Sequence, residues 1–304
     1  MKSTNLLLIL SIFIFVSCNP EPSEPVPEPR VGESLLYENG DGSLNENSLY
    51  QRDPEQVYEL QNLNDEDFED FSAISFIPEK NIYIAVRNDN NLHFLDSDFQ
   101  TISDLEFVGF SSTTRQNDFE GVVYLGMVGT QMEFALSNEI GQVYIGKIAT
   151  TDTEANRENF QKIVVASSLS IPLNKGPEGI TYDHATSTFY IAFEGKGDKN
   201  TFVVSFVRPE SSKDGIKVDT EVPFNVVEVT GAEDLADIFF DSQTGNLILL
   251  SEQSSYLYEI NPSGALVGKH PLNLSRQHES LFINGKRELL VGAEPNFIDF
   301  FPLK

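Results

Sequence analysis

Residues 236–270 read ADIFFDSQTGNLILLSEQSSYLYEINPSGALVGKH, and they spell out one complete structural unit. An apolar run led by an acid, 237–240, is followed by the polar turn SQTGN at 242–246 and a second apolar run at 247–250. In 256–260, Tyr256, Tyr258 and Ile260 alternate with Leu257 and Glu259, which is the period of two that a strand imposes on its faces. Asn261-Pro262-Ser263-Gly264 is a turn with proline at its second position, and 265–270 forms the last strand. The stretch therefore encodes four antiparallel strands joined by short turns.

The first half of that unit occurs five times. The copies are SAISFIPEKNIYIAVRN (72–88), EGVVYLGMVGTQMEFALSNE (120–139), EGITYDHATSTFYIAFE (178–194), ADIFFDSQTGNLILLSE (236–252) and ESLFINGKRELLVGAE (279–294). Repeats of this kind in β-rich sequence are blades of a propeller. The intervals from Glu120 to Glu178 and from Glu178 to Ala236 each span just under sixty residues. That is too short for two blades of roughly 40–45 residues and suits one blade with an insertion. The fold expected is an all-β, five-bladed propeller of four-stranded antiparallel blades, with six blades as the alternative. The last copy ends at 297–301 without a fourth strand, and an open ring would leave an unpaired edge. Residues 56–60, QVYEL, are expected to supply that strand and close the ring. The insertion 151–160, TDTEANRENF, is expected to form a short helical turn.

The N-terminus sets the compartment. Lys2 precedes an apolar run from Leu6 to Val16, too short to span a bilayer and of signal-peptide length. It ends at Val16-Ser17-Cys18, and Cys18 is the chain's single cysteine. This resembles a bacterial lipobox, with Phe15 in place of the usual leucine; an ordinary secretory signal is the alternative. The organisation expected is a signal peptide at 1–17, a tether at 18–50 rich in Pro and Glu, and a propeller domain at 51–304. Prolines at 20, 22, 25, 27 and 29 hold the start of the tether extended. The expected location is the cell envelope, extracytoplasmic and lipid-anchored, the outer membrane being favoured. One cysteine permits no intramolecular disulfide.

The formal net charge is −27, and loss of the signal removes Lys2 and no acid. Such a surface repels phosphate backbones, excluding nucleic acid as a partner, and it attracts cations. The chain is expected to act as a monomer.

The segments DFEGVVYLG (118–126), GPEGITYD (176–183), EDLADIFFDSQTGNLILLSEQSSYLYEINPSG (233–264), HESLFING (278–285) and VGAEPN (291–296) resemble the SdiA-regulated domain family. The resemblance covers roughly residues 54–304. It implies an extracytoplasmic five-bladed propeller, distantly similar to NHL-repeat proteins, with a calcium ion in a shared site and no established activity. Ser72 and Ala236 stand where the other copies carry glutamate, so the acidic set is incomplete, although Asp237 adjoins Ala236.

In a propeller, equivalent inner-strand positions converge on one mouth of the central channel. Glu120, Glu178 and Glu279 open their inner strands, with Asp118, Asp234 and Asp237 close by. Glu139, Glu194, Glu252 and Glu294 end the second strands, with Asn88 as their counterpart in the first copy. Antiparallel pairing puts both sets at one mouth. Converging carboxylates raise one another's pKa values unless a cation sits among them. Hard oxygen ligands favour Ca2+ over zinc or copper, and over Mg2+ with its tight octahedron. The expected ligands are Glu120, Glu178, Asp237 and Glu279, with Asp118, Asn138, Glu139, Asp234, Glu194, Glu252 and Glu294 as further candidates. The alternative is that each acid accepts N–H groups of the next blade and staples blades together.

Two functions fit. One is a tethered, calcium-binding module offering its mouth to a protein, glycan or small molecule. The other is a calcium-dependent esterase or lactonase with His278, next to Glu279, as general base. The module is favoured because His278 is the one candidate base. No Gly-X-Ser-X-Gly elbow occurs, and the glycines at 195 and 197 lack the setting of a phosphate loop. The recurring aromatics Phe76, Tyr124, Tyr182 and Phe240 are read as inter-blade core.

Overall fold

The computed structural model describes residues 34–61, 71–87, 89–149, 151–165, 176–194 and 201–304. Cys18, the signal peptide, the first part of the tether and Asn88 lie outside the described residues.

Five sheets stand around one axis, each with its inner strand at the channel. Blade one is Phe71–Ile77, Ile82–Arg87, Asn91–Leu95 and Thr101–Val108. Blade two is Phe119–Val128, Gln131–Asn138, Gln142–Ile148 and Phe160–Val164. Blade three is Pro177–Asp183, Thr188–Phe193 and Phe202–Val207. Blade four is Asp237–Asp241, Asn246–Ser251, Tyr256–Ile260 and Leu266–Pro271. Blade five is Gln277–Ile283, Leu289–Glu294, Phe297–Phe301 and, from the other end of the chain, Gln56–Glu59. Gln56 pairs with Phe300 and Glu59 with Phe297, so the ring is closed by the N-terminal strand as the sequence required. Each inner strand packs on its two neighbours, blade five against blade one included, which sets the blade number at five rather than six. Between successive blades lie five apolar cores, one per wedge. Their shared origin is the period-two pattern, which buries alternate residues of both faces.

Two expectations need correction. Blade three has three strands among the described residues; its fourth is reduced to a single bridge, Ser205 to Glu221. Pro209 and Pro223 flank the connecting chain and donate no ladder hydrogen bond. Within it, Ile216–Lys217 leaves to pair in parallel with Phe160–Val164 of blade two, where Asp214 accepts from Arg157 and the Lys162 backbone N–H. Second, residues 34–50, assigned above to the tether, belong to the folded domain. Leu35, Leu36 and Tyr50 are buried in the core between blades four and five, and Glu38–Asn39 adds an edge strand to blade four. Glu259 fixes this segment, accepting from the Ser34 hydroxyl at 2.9 Å and the Leu35 N–H at 2.7 Å. In the insertion, residues 157–159 make the expected helical turn, while Glu154–Asn156 covers the edge of blade one. Such covers hide unpaired edges that would invite association.

A β-bulge opens four inner strands. The register skips Ser72, Glu120, Glu178 and Glu279, each the extra residue between paired neighbours. A bulge re-aims the extra side chain away from the sheet's normal alternation. The next position in each strand is small, being Ala73, Gly121, Gly179 and Ser280, and at the two glycines the neighbouring blade leaves little room for a Cβ. A Cβ on Gly179 would lie 2.7 Å from the Asp237 Cα and 2.8 Å from the Ile238 nitrogen. Gly179→Ala is therefore expected to cost about 1–3 kcal/mol by overpacking the blade three/four contact, read as a lower urea midpoint; an unchanged midpoint would mean that the blades separate freely.

Candidate functional site

The bulges deliver their acids to one mouth of the channel. Glu120, Glu178 and Glu279 are all partly buried there. Burial pushes the Glu178 carboxyl well above its ordinary value, and the charges of Glu120, Glu194, Glu139 and Glu279 push it further. Glu279 rises to about 9 through burial and the charges of Glu294, Glu252, Glu120 and Asp234. Glu120 rises to about 7 through burial and the charges of Asp118 and Glu139, partly offset by a hydrogen bond from Ser72 and by Arg115. These mutual influences put both acid sets, from blades two to five, within electrostatic reach of one another.

The tightest convergence lies in blade two. One carboxylate oxygen from each of Asp118, Glu120 and Glu139 lies within 4.8 Å of the others. Arg115 reaches the same group, its Nε 2.9 Å from Asp118 Oδ2 and its Nη1 on Glu139 Oε2. Its backbone has a left-handed φ of 53°, a conformation that non-glycine residues adopt at some cost and that directs the guanidinium to the mouth. Asn138 holds this loop. Its amide donates to the Arg115 and Gln116 carbonyls at 3.4 and 3.2 Å, and its Oδ1 accepts the Gln142 N–H. Asn138, offered above as a ligand, is wholly buried and positions Arg115 instead.

Three other residues stand differently from their sequence roles. Asp237 stands at the position equivalent to Gly179 and Ser280, in the one inner strand that pairs without a bulge. Its Oδ2 accepts the Leu281 N–H of blade five at 2.7 Å and its Oδ1 the Ile238 N–H at 2.7 Å. For Asp237 the stapling alternative is the one observed. Asp234 accepts the Ser251 hydroxyl and the Gln253 N–H, and so pins the turn after the second strand of blade four. His278 is fully buried, its Nε2 3.4 Å from Asp299 Oδ2. It is packed within blade five beside Asp299 of the third strand and has no exposure to solvent. Glu252 and Glu294 act on Glu279, and Glu194 on Glu178, as charges around the rim.

Hard carboxylate oxygens with no sulfur and no histidine among them fit calcium's preferences. Asp118, Glu120 and Glu139 would hold the ion, with Glu178 and Glu279 in electrostatic reach of Glu120. Arg115 was missed in the sequence. A lone arginine in the loop SSTTRQND carries no pattern, and only its spacing of three residues from Asp118 hinted at a pair.

A model of the SdiA-regulated family matches residues 47–300, and the chain belongs to that family. Among solved structures the chain is similar to one described as "Streptogramin B lyase structure", with a TM-score of 0.43 and 12% sequence identity. The match covers 78% of this chain and 65% of that one, somewhat less than two thirds of the neighbour.

Proposed function

We propose that this member of the SdiA-regulated family is a calcium-binding propeller that works as a binding module in the cell envelope, anchored to a membrane by a lipid on Cys18. The observation that carries the proposal is the meeting of Asp118, Glu120 and Glu139 within 4.8 Å, with Glu178 and Glu279 in electrostatic reach. Ca–O distances of about 2.3–2.6 Å allow oxygens so spaced to share one ion. Calcium neutralises their repulsion and fixes the mouth, where a protein, glycan or small molecule docks. The hydrolase reading loses its support, since His278 is sealed beside Asp299.

Native mass spectrometry of the chelated and calcium-loaded protein tests the ion: one calcium per chain is expected, and none at millimolar calcium contradicts it. The mass of the mature N-terminus tests the anchor. A diacylglyceryl-modified Cys18 is expected; an unmodified cysteine or cleavage elsewhere rejects it.

A further inference from the structure

The inner strands run on from the acidic mouth to a second end of the channel that the calcium reading leaves unused. At that end lies a cavity of about 330 Å3 walled by all five inner strands. The fifth residue of each repeat copy contributes Phe76, Tyr124, Tyr182, Phe240 and Ile283, and Phe239 joins them. These aromatics were read as inter-blade core. They do pack, Tyr182 on Phe189 with centroids 4.5 Å apart and Phe240 on Tyr190 at 6.0 Å, but they also face the cavity. The walls are held in place from behind: the Tyr124 hydroxyl donates to Glu79 at 2.9 Å. The cavity opens to solvent between exposed His184, Ser242, Gln243 and Gly285.

We propose that this end of the channel is a second binding site, for a small uncharged molecule built around an aromatic or aliphatic ring. Its volume is at the low end of ligand pockets, about 300–1,000 Å3, and its walls combine aromatic and aliphatic side chains with polar ones at the rim. The one ion pair on those walls is closed within the protein. Arg287 clasps Asp241 through two bonds of 2.5 and 3.0 Å, and Asp237 accepts two backbone N–H groups. Because Arg287 and Asp241 already neutralise each other, an ionic ligand gains little from that pair, whereas a neutral ring finds aromatic faces set before it arrives. The aromatic wall at Tyr182 lies four residues beyond Glu178, about 13 Å at ~3.3 Å per residue, while the inner wall reaches Val122 and Ile180, two residues from Glu120 and Glu178, so a probe held at the aromatic end leaves the ion's ligands untouched.

Fluorescence titration with N-phenyl-1-naphthylamine, a neutral apolar probe, tests the site. Saturable enhancement with one probe per chain is expected, equal in calcium and in EGTA. A Cβ on Gly285 would touch only Phe76, at 3.7 Å, so Gly285→Trp fits the fold and lays an indole over the opening. It is expected to weaken the probe about tenfold or more, and since the chain has no tryptophan the new indole also reports folding. His184→Trp, on an exposed turn at the opposite rim, is the second blocking variant. No saturable signal, unchanged binding in both variants, or binding abolished by EGTA would each overturn the proposal, and none of these touches the calcium stoichiometry.

Discussion

Stripped of calcium with EGTA, the protein is expected to melt at lower temperature as the pH is raised from about 7 to about 9, whereas with saturating calcium the curve is nearly flat. The sign follows from the acids at the mouth. Folding raises Glu120 to about 7, Glu279 to about 9 and Glu178 well above their ordinary value of 4.5. In that window the folded state holds protons that the unfolded chain has released, so stability falls as pH rises. Below it, His270, buried and lowered to about 4, works in the opposite direction, since the unfolded imidazole takes up a proton that the folded one refuses. Calcium replaces the protons among the carboxylates and removes the upper limb. At a hundredfold excess over its Kd the ion adds about 2.7 kcal/mol. Glu178→Gln separates this account from simple stapling: removing one of the repelling charges should raise the melting temperature in EGTA while shrinking the rise on adding calcium. A staple would lose stability in both conditions by the same amount.

Asp241→Ala is expected to be the most damaging single change, lowering stability by about 3–5 kcal/mol. Asp241 and Arg287 are 1% and 7% exposed and lock the end of blade four's inner strand to the first hairpin of blade five. Asp241 also accepts from Thr244 at 2.7 Å and the Gln243 N–H at 3.2 Å, and the Tyr50 hydroxyl holds the Arg287 carbonyl at 2.8 Å. Truncating the acid leaves a guanidinium buried with no counter-charge, and that uncompensated charge is the larger part of the cost. The pair Asp241→Leu with Arg287→Met should recover most of the loss, because it removes both charges and keeps the volume. Urea denaturation of the single and double variants decides it. A single-variant loss under about 1 kcal/mol would mean that water reaches the pair and screens it.

The blades were legible because each copy repeats an apolar alternation that only a strand satisfies, and the closing strand because the fifth copy lacked a partner. The glutamates were legible as a set from their shared repeat position. Their bulges were not, since a skipped register has no marker in the residues themselves. Asp237 differs from the glutamates because it stands one position after theirs in the repeat, in a strand without a bulge, and one step along a strand turns a side chain from the channel mouth to the neighbouring blade. Leu35 and Leu36 follow a run of prolines, and two apolar residues make no periodic pattern, so their burial depends on a groove built by chain more than two hundred residues away. Blade three lost its fourth strand to a competing edge on blade two, which no local propensity encodes.

Calorimetric titration of calcium into the wild-type protein and Glu120→Gln decides whether the channel mouth holds a cation, because Glu120 is shared by the close trio and the wider ring. The expected result is one ion per wild-type chain with protons released on binding, and an affinity about tenfold or more lower in the variant, a loss of at least ~1.4 kcal/mol. Equal binding by both proteins, or no binding by either, would contradict a cation held at the channel mouth.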